Sequence, residues 1–313
     1  MIVNFQLCDH LYIITFIHGI LFDDLITLNF IDMKIRQKIA IGFFRTKINI
    51  LKICSMRKAA EETLRLFLTP MMKTTVKEKE VFSNAEPLQF IFENKLIKGF
   101  RCNHPKEKKI LILHGFSSSC HNFDKYVTPL VNKNYEVLAF DAPAHGASEG
   151  RTTNAVEYSE MIKKISETYG PVSGYISHSF GGIAVCLAME NIPHDSNTKL
   201  VLIAPATETN TAVDGAFSML GLRNERLRKK VDNLIFERSG KETVWFSIRR
   251  AMNNIRASVL WFHDEDDDIT PLSDALKVKS DNHSNIKFVI TKGLGHRKIY
   301  RDEMVINETI KFL

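Results

Sequence analysis

From residue 96 to the C-terminus the chain alternates short, continuous apolar runs with longer segments in which apolar residues recur every three or four positions. The runs at 109–113, 136–140, 200–203, 258–262 and 286–290 are strand-length and rich in Ile, Val and Leu, and 96–102 and 172–177 also read as strands. Helical periodicity predicts helices over 122–131, 153–168, 180–191 and 298–312. Strands that are apolar throughout, rather than alternating, imply a sheet buried on both faces. The pattern therefore predicts an α/β fold, a mostly parallel sheet with helices on both faces. Ligands of such sheets sit beyond the carboxyl ends of the strands, so that is where chemistry is sought.

Upstream of residue 81 the pattern changes. Residues 11–22, LYIITFIHGILF, are an apolar run too short to span a membrane, and Asp9 and His10 stand where a secretory signal carries positive charge. Residues 1–32 read as a leader with three accounts: a loosely packed extension, a membrane-contacting segment, or translation upstream of a true start at Met33. The basic sequence that begins at Lys34 favours the third. Residues 33–80 form a basic helical segment, with Ser55 capping a second helix and Thr69-Pro70 ending it. Within it, 33–53 has the mixture of Ile, Phe, Lys and Arg expected of a basic amphipathic helix. It either contacts an acidic lipid surface peripherally or packs on the main domain with its basic face in water, and the second is the commoner outcome.

Charge sharpens this division. The 313 residues carry a net charge of +6, distributed as −4 over 1–32, +8 over 33–80 and +2 over 81–313. The main domain is nearly neutral, whereas nucleic-acid enzymes spread a basic face over theirs, so no nucleic-acid partner is expected. Charged residues at 25% and aromatics at 10% are ordinary for a globular chain. The five cysteines are scattered without a C-x-x-C pair, which argues against a disulfide framework or zinc site and for the cytoplasm. No cofactor or metal motif is visible, and the acidic run Asp264–Asp268 lacks the spacing and Gly of a calcium loop.

Reactive residues cluster at the predicted strand ends. Gly174-Tyr-Ile-Ser-His-Ser179-Phe-Gly-Gly182 carries a strand into a helix, with small residues at 177 and 181 flanking Ser179. A turn that sharp strains the serine backbone, lifts its oxygen above the sheet and sets it at a helix N-terminus suited to a developing oxyanion. Further strand ends carry His114-Gly115-Phe116, the loop Asp141-Ala-Pro-Ala-His-Gly-Ala-Ser148, the run His263–Pro271, and Gly293-Leu-Gly-His296.

Taken together, these motifs resemble the α/β-hydrolase family over roughly residues 95–313. Ser177 replaces the first Gly of its G-x-S-x-G turn, and Ala144 the first Gly of its D-x-x-G-x-G-x-S loop. Against the family's H-G-x-x-D-x-x-V-P pattern, Asp264 stands for Gly and Thr270 for Val. The resemblance implies a Ser179, Asp267 and His296 triad in the chain order Ser…Asp…His, with Asp266 and Asp268 as alternative acids. It also implies an oxyanion hole from the Phe116 and Phe180 N–H groups. His114 and Asp141 read as scaffold. The implied helical cap is the insertion at about 206–257, in a hydrolase domain spanning 81–313. Phe217, Met219 and Leu220 either line an acyl pocket there or pack within the cap. The implied activity is a serine esterase or lipase-like hydrolase acting on a small acyl substrate. The alternatives are an acyltransferase or thioesterase on the same triad, or a non-catalytic binding module. The sequence carries no signal for oligomeric state.

Overall fold

A computed structural model describes residues 33–70 and 79–313, so the predicted leader lies outside the described residues. Eight strands form one sheet: β1 (Glu86–Phe92), β2 (Lys95–Cys102), β3 (Lys109–Leu113), β4 (Glu136–Phe140), β5 (Gly174–His178), β6 (Lys199–Ile203), β7 (Ser258–Asp264) and β8 (Ile286–Thr291). Their order is β1-β2-β4-β3-β5-β6-β7-β8. β2 is antiparallel to both β1 and β4, and every pairing from β4 to β8 is parallel.

The apolar runs are continuous because both faces are covered. Along β3, Leu111 and Leu113 enter one buried cluster while Ile110 and Ile112 enter the other. β6 divides in the same way, with Leu200 and Leu202 on one side and Val201 and Ile203 on the other. The first face is closed by α4 (Ala155–Tyr169) and α5 (Phe180–Met189), through residues such as Met161, Ile162 and Val185. The second is closed by α3 (Asp124–Asn132) and α11 (Glu303–Phe312), through Tyr126, Leu130, Val305 and Ile306.

Strand β1 is absent from the sequence reading. It is an edge strand whose only fully buried side chain is Leu88, so no sustained apolar run marks it. Its hairpin to β2 turns through Glu93 and Asn94, both at positive φ (46° and 60°), without the glycine that usually signals such a turn. The predicted 298–312 helix is also corrected. It divides into α10 (Gly295–Lys298), a 3-10 turn at Ile299–Arg301, and α11. The break is at Asp302, which is extended and whose carboxylate accepts from the Met304 and Val305 N–H groups, capping α11.

Two helices precede the sheet: α1 (Met33–Cys54) and α2 (Met56–Phe67), the latter capped by the Ser55 hydroxyl accepting from Lys58 N. The insertion after β6 supplies α6 (Thr209–Met219), α7 (Glu225–Ser239) and the short α8 (Ile248–Ala251), before α9 (Leu272–Ser280) follows β7. A third apolar cluster joins Ile48 of α1 and Ala59, Ala60 and Leu64 of α2 to Phe217, Leu220, Leu227, Val231 and Leu234. Arg57 pairs with Glu237 across this contact at 2.9 Å, and Thr153 N donates to Leu68 O at 2.9 Å where the helices rejoin the sheet domain. Burying an isoleucine side chain contributes about 2–3 kcal/mol. Ile48→Ala is therefore expected to cost about 2–4 kcal/mol of unfolding free energy, read by urea denaturation followed by circular dichroism. An unchanged midpoint would show that α1 is not part of the cooperative unit. Among the described residues no helix is long and apolar enough to cross a membrane.

Candidate active site

Ser179 sits where β5 ends and α5 begins, with φ 52° and ψ −117°. A left-handed φ on a residue with a side chain is strained and persists only where neighbours hold it. Here Ser179 N donates to Ile203 O at 3.1 Å, and its carbonyl accepts from Ala206 N at 3.0 Å. Ser177, in place of the usual Gly, donates its hydroxyl to Val201 O at 3.0 Å and so satisfies its polar group inside the sheet. Gly181 cannot be larger, because a Cβ there would lie 2.6 Å from Leu113 O.

The Ser179 Oγ lies 3.0 Å from His296 Nε2, and His296 Nδ1 lies 2.8 Å from Asp267 Oδ2. Both Asp267 oxygens are occupied. Oδ1 accepts from the N–H groups of Ile269 (2.9 Å) and Thr270 (2.8 Å), and Oδ2 from the Thr270 hydroxyl (2.9 Å). Burial pushes the Asp267 carboxyl up. The hydrogen bond and charge of His296 and the Thr270 and Ile269 N–H groups outweigh this, so it stays below the ordinary carboxylate range. With Nε2 facing the serine hydroxyl, Nδ1 carries the hydrogen toward Asp267.

The neighbouring acids have other partners. Asp266 accepts from Gly293 N at 3.0 Å, and Asp268 is exposed. Asp264, buried where the family pattern has Gly, accepts from Thr291 Oγ1, Leu294 N and Gly295 N and so pins the loop that carries His296. Thr270 Oγ1, besides its bond to Asp267, lies 3.1 Å from His296 Nδ1. Neither role was read from the sequence. The two departures from the H-G-x-x-D-x-x-V-P pattern, Asp264 and Thr270, were the available signals.

His178, adjacent to the serine, also escaped the sequence reading. Burial drives its imidazole down to about 3, with the His296 charge adding to the effect, so the ring is neutral. Its Nε2 is 3.0 Å from His296 O; a carbonyl only accepts, so Nε2 carries the hydrogen. The ring also packs against His296 and Tyr300, with centroids 4.7 and 4.4 Å away. Backbone and side chain of His296 are thus held from different directions.

Loop 114–117 closes the other side. A Cβ on Gly115 would come within 3.0 Å of Ser179 Cβ, so the glycine lets Phe116 follow directly beside the serine. The Phe116 and Phe180 rings meet edge to face at 5.4 Å. Phe180 is the first residue of α5, so its N–H has no carbonyl partner within the helix. His114 is scaffold: Nδ1–H donates to Gly115 O at 2.8 Å and Nε2 accepts from Ala142 N at 2.9 Å. Asp141 ties its loop down through Cys120 N (2.9 Å) and Ala147 N (2.8 Å), and Ala144 takes the left-handed φ of 67° where the family pattern has Gly.

Phe217 and Leu220 are buried in the third apolar cluster, whereas Met219 is 52% exposed. Of the two readings of these residues, packing is the one the contacts describe for Phe217 and Leu220. Among the described residues, Cys120, His121 and Asp141 group their donor atoms within 4.8 Å. The Asp141 oxygens already accept backbone hydrogen bonds there.

The family model described as serine aminopeptidase, S33, matches residues 104–247, a stretch that includes Ser179 and stops short of Asp267 and His296. No curated protein matches the chain. Among solved structures, a Pyrococcus furiosus esterase is 17% identical over 78% of this chain and 94% of its own, with a TM-score of 0.58. The mouse α/β-hydrolase domain-containing protein 10 is 15% identical over 72% and 96%, with a TM-score of 0.54. The thioesterase domain of the curacin biosynthetic pathway is 13% identical over 73% and 100%, with a TM-score of 0.53. Strand order, the strained serine turn and these likenesses agree, and the chain has the fold of the α/β-hydrolase family.

Proposed function

We propose that the protein is a serine hydrolase that cleaves a carboxylic ester or related acyl bond through Ser179, His296 and Asp267. The observation that carries this reading is the continuous hydrogen-bonded series from Ser179 Oγ through His296 to Asp267 Oδ2. A binding module has no need of a strained serine facing an oriented imidazole.

In the reaction, His296 Nε2 accepts the Ser179 proton as Oγ bonds to the substrate carbonyl carbon. The Phe116 and Phe180 N–H groups hold the oxyanion, and Asp267 stabilises the imidazolium. His296 then donates its proton to the departing alcohol as the acyl bond breaks, leaving an acyl-enzyme. Water, losing a proton to His296, releases the acid and restores Ser179. A thioesterase or acyltransferase uses the same steps with a thiol leaving group or a different acceptor. The curacin thioesterase domain and the Pyrococcus esterase share the fold, which supports testing both bond types.

A fluorophosphonate probe tests the assignment. A covalent adduct mapped by mass spectrometry to the Ser179 peptide is expected, and absence of an adduct on the folded protein would overturn it. Matched ester and thioester series of increasing acyl length then separate hydrolase from thioesterase.

Thr270 tunes this chemistry. Its single hydroxyl hydrogen faces Asp267 Oδ2 at 2.9 Å and Ala204 O at 3.2 Å; the charged and closer acceptor takes it. The bond spreads the carboxylate charge and weakens its hold on the imidazolium. In Thr270→Val, which keeps the shape and restores the family residue, Asp267 loses one of its hydrogen bonds and becomes more basic. The pH profile of kcat/KM is therefore expected to shift in the valine variant. Thr270→Ser should return it, and a profile unmoved in the valine variant would remove Thr270 from this role.

A further inference from the structure

Helix α1 has two apolar faces, and among the described residues the fold buries only one. Ile48 is fully buried in the cluster shared with α2, α6 and α7, and Phe44 and Leu51 pack beside it. At 3.6 residues per turn, Ile39, Phe43, Ile50 and Ile53 fall within about 80° of arc on the opposite side. These four are 62%, 52%, 58% and 86% exposed. Beside them, a Cβ on Gly42 would meet nothing within 4 Å. The stripe runs about 21 Å along the helix, from the 1.5 Å rise per residue. An amphipathic helix that only packed on its own domain would carry polar residues on this face.

The charge of α1 identifies what the stripe meets. Its 22 residues, MKIRQKIAIGFFRTKINILKIC, include six Lys or Arg and no Asp or Glu. Lys38 and Arg45 are exposed, and Lys47, paired with Glu62 at 2.8 Å, is exposed as well. By the same helical period Lys38 and Lys47 lie on opposite flanks of the apolar stripe. Apolar side chains between flanking cations are the arrangement of a helix lying in a bilayer interface, with its hydrocarbon in the acyl boundary and its cations among anionic headgroups.

We propose that α1 docks the protein on an anionic lipid bilayer through Ile39, Phe43, Ile50 and Ile53. Because its other face is part of the apolar cluster with α6 and α7, docking brings the insertion after β6 to the membrane surface. The proposal does not depend on the chemistry of Ser179, since vesicle binding itself is read without turnover.

Co-sedimentation of the full chain with vesicles tests it. Binding is expected to phosphatidylcholine vesicles containing about 30% phosphatidylglycerol, far less to pure phosphatidylcholine, and to weaken between 0.1 and 0.5 M salt. Phe43→Glu with Ile53→Glu, at exposed positions, should lower the partition coefficient by about tenfold or more. Its melting temperature and its turnover of a water-soluble ester should be unchanged. Failure of the wild-type chain to sediment with anionic vesicles, or equal binding by the double variant, overturns the proposal. So does a wild-type dimer in light scattering that the double variant makes monomeric in the absence of vesicle binding, which would assign the stripe to a second copy of the chain.

Discussion

Ser179→Ala is expected to lower kcat for ester hydrolysis by about 10⁴–10⁶-fold and to abolish labelling by a fluorophosphonate. The size follows from what is lost. In the proposed mechanism His296 and Asp267 work through the Ser179 oxygen and the acyl-enzyme it forms, so without that oxygen their contribution vanishes together with the nucleophile's. The change should leave the fold intact. Ser179 Oγ is bonded to His296 alone among the described residues, while the turn is held by backbone bonds to Ile203 and Ala206. Circular dichroism and melting temperature close to wild type, with turnover at background, is the expected pair of results. Wild-type turnover in the alanine variant would sink the nucleophile assignment and with it the proposed mechanism.

The second large effect is expected at Asp267. Asp267→Asn preserves size and still accepts the Ile269 and Thr270 N–H bonds, but its neutral amide no longer stabilises the imidazolium or fixes the Nδ1–H tautomer. A loss of about 10⁴-fold in kcat is expected. Asp268→Asn, at an exposed position one residue away, is expected to stay within twofold of wild type. Steady-state kinetics on one soluble ester distinguishes the two. Comparable losses at both positions, or none at Asp267, would mean that His296 is oriented by something other than this carboxylate. Asp266→Asn has a different expected signature. It weakens the tie to Gly293 N and loosens the His296 loop without touching the imidazole, so a smaller loss is expected.

Much of this architecture was legible in the chain because parallel strands covered on both faces leave largely apolar runs, as β3, β4, β6 and β7 do. β1 left no such mark: it is an edge strand, half in water, turned by Glu93-Asn94 rather than by a glycine. The resemblance of the strand-end motifs to the α/β-hydrolase pattern pointed to Ser179, Asp267 and His296, which lie within hydrogen-bond reach of one another in the fold. What they did not show was the support around them. Asp264, Thr270 and His178 act through hydrogen bonds between loops 26 to 118 residues apart in sequence, and no local pattern records such pairings. Phe217 and Leu220 were ambiguous for a related reason: an apolar residue in an insertion looks the same whether it faces a substrate or the N-terminal helices.

The shared cluster of α1, α2, α6 and α7 bears on where the polypeptide can be cut. The stretch matched by the family model begins at residue 104, and the sheet begins at Glu86. An expression boundary drawn at either point would strip Ile48, Ala59, Ala60 and Leu64 from Phe217, Leu220, Leu227, Val231 and Leu234. It would leave in solvent a hydrocarbon surface that the intact polypeptide keeps dry. Such a trimmed product would self-associate through that surface. The segment matched by the family model is therefore shorter than the segment that keeps this surface covered.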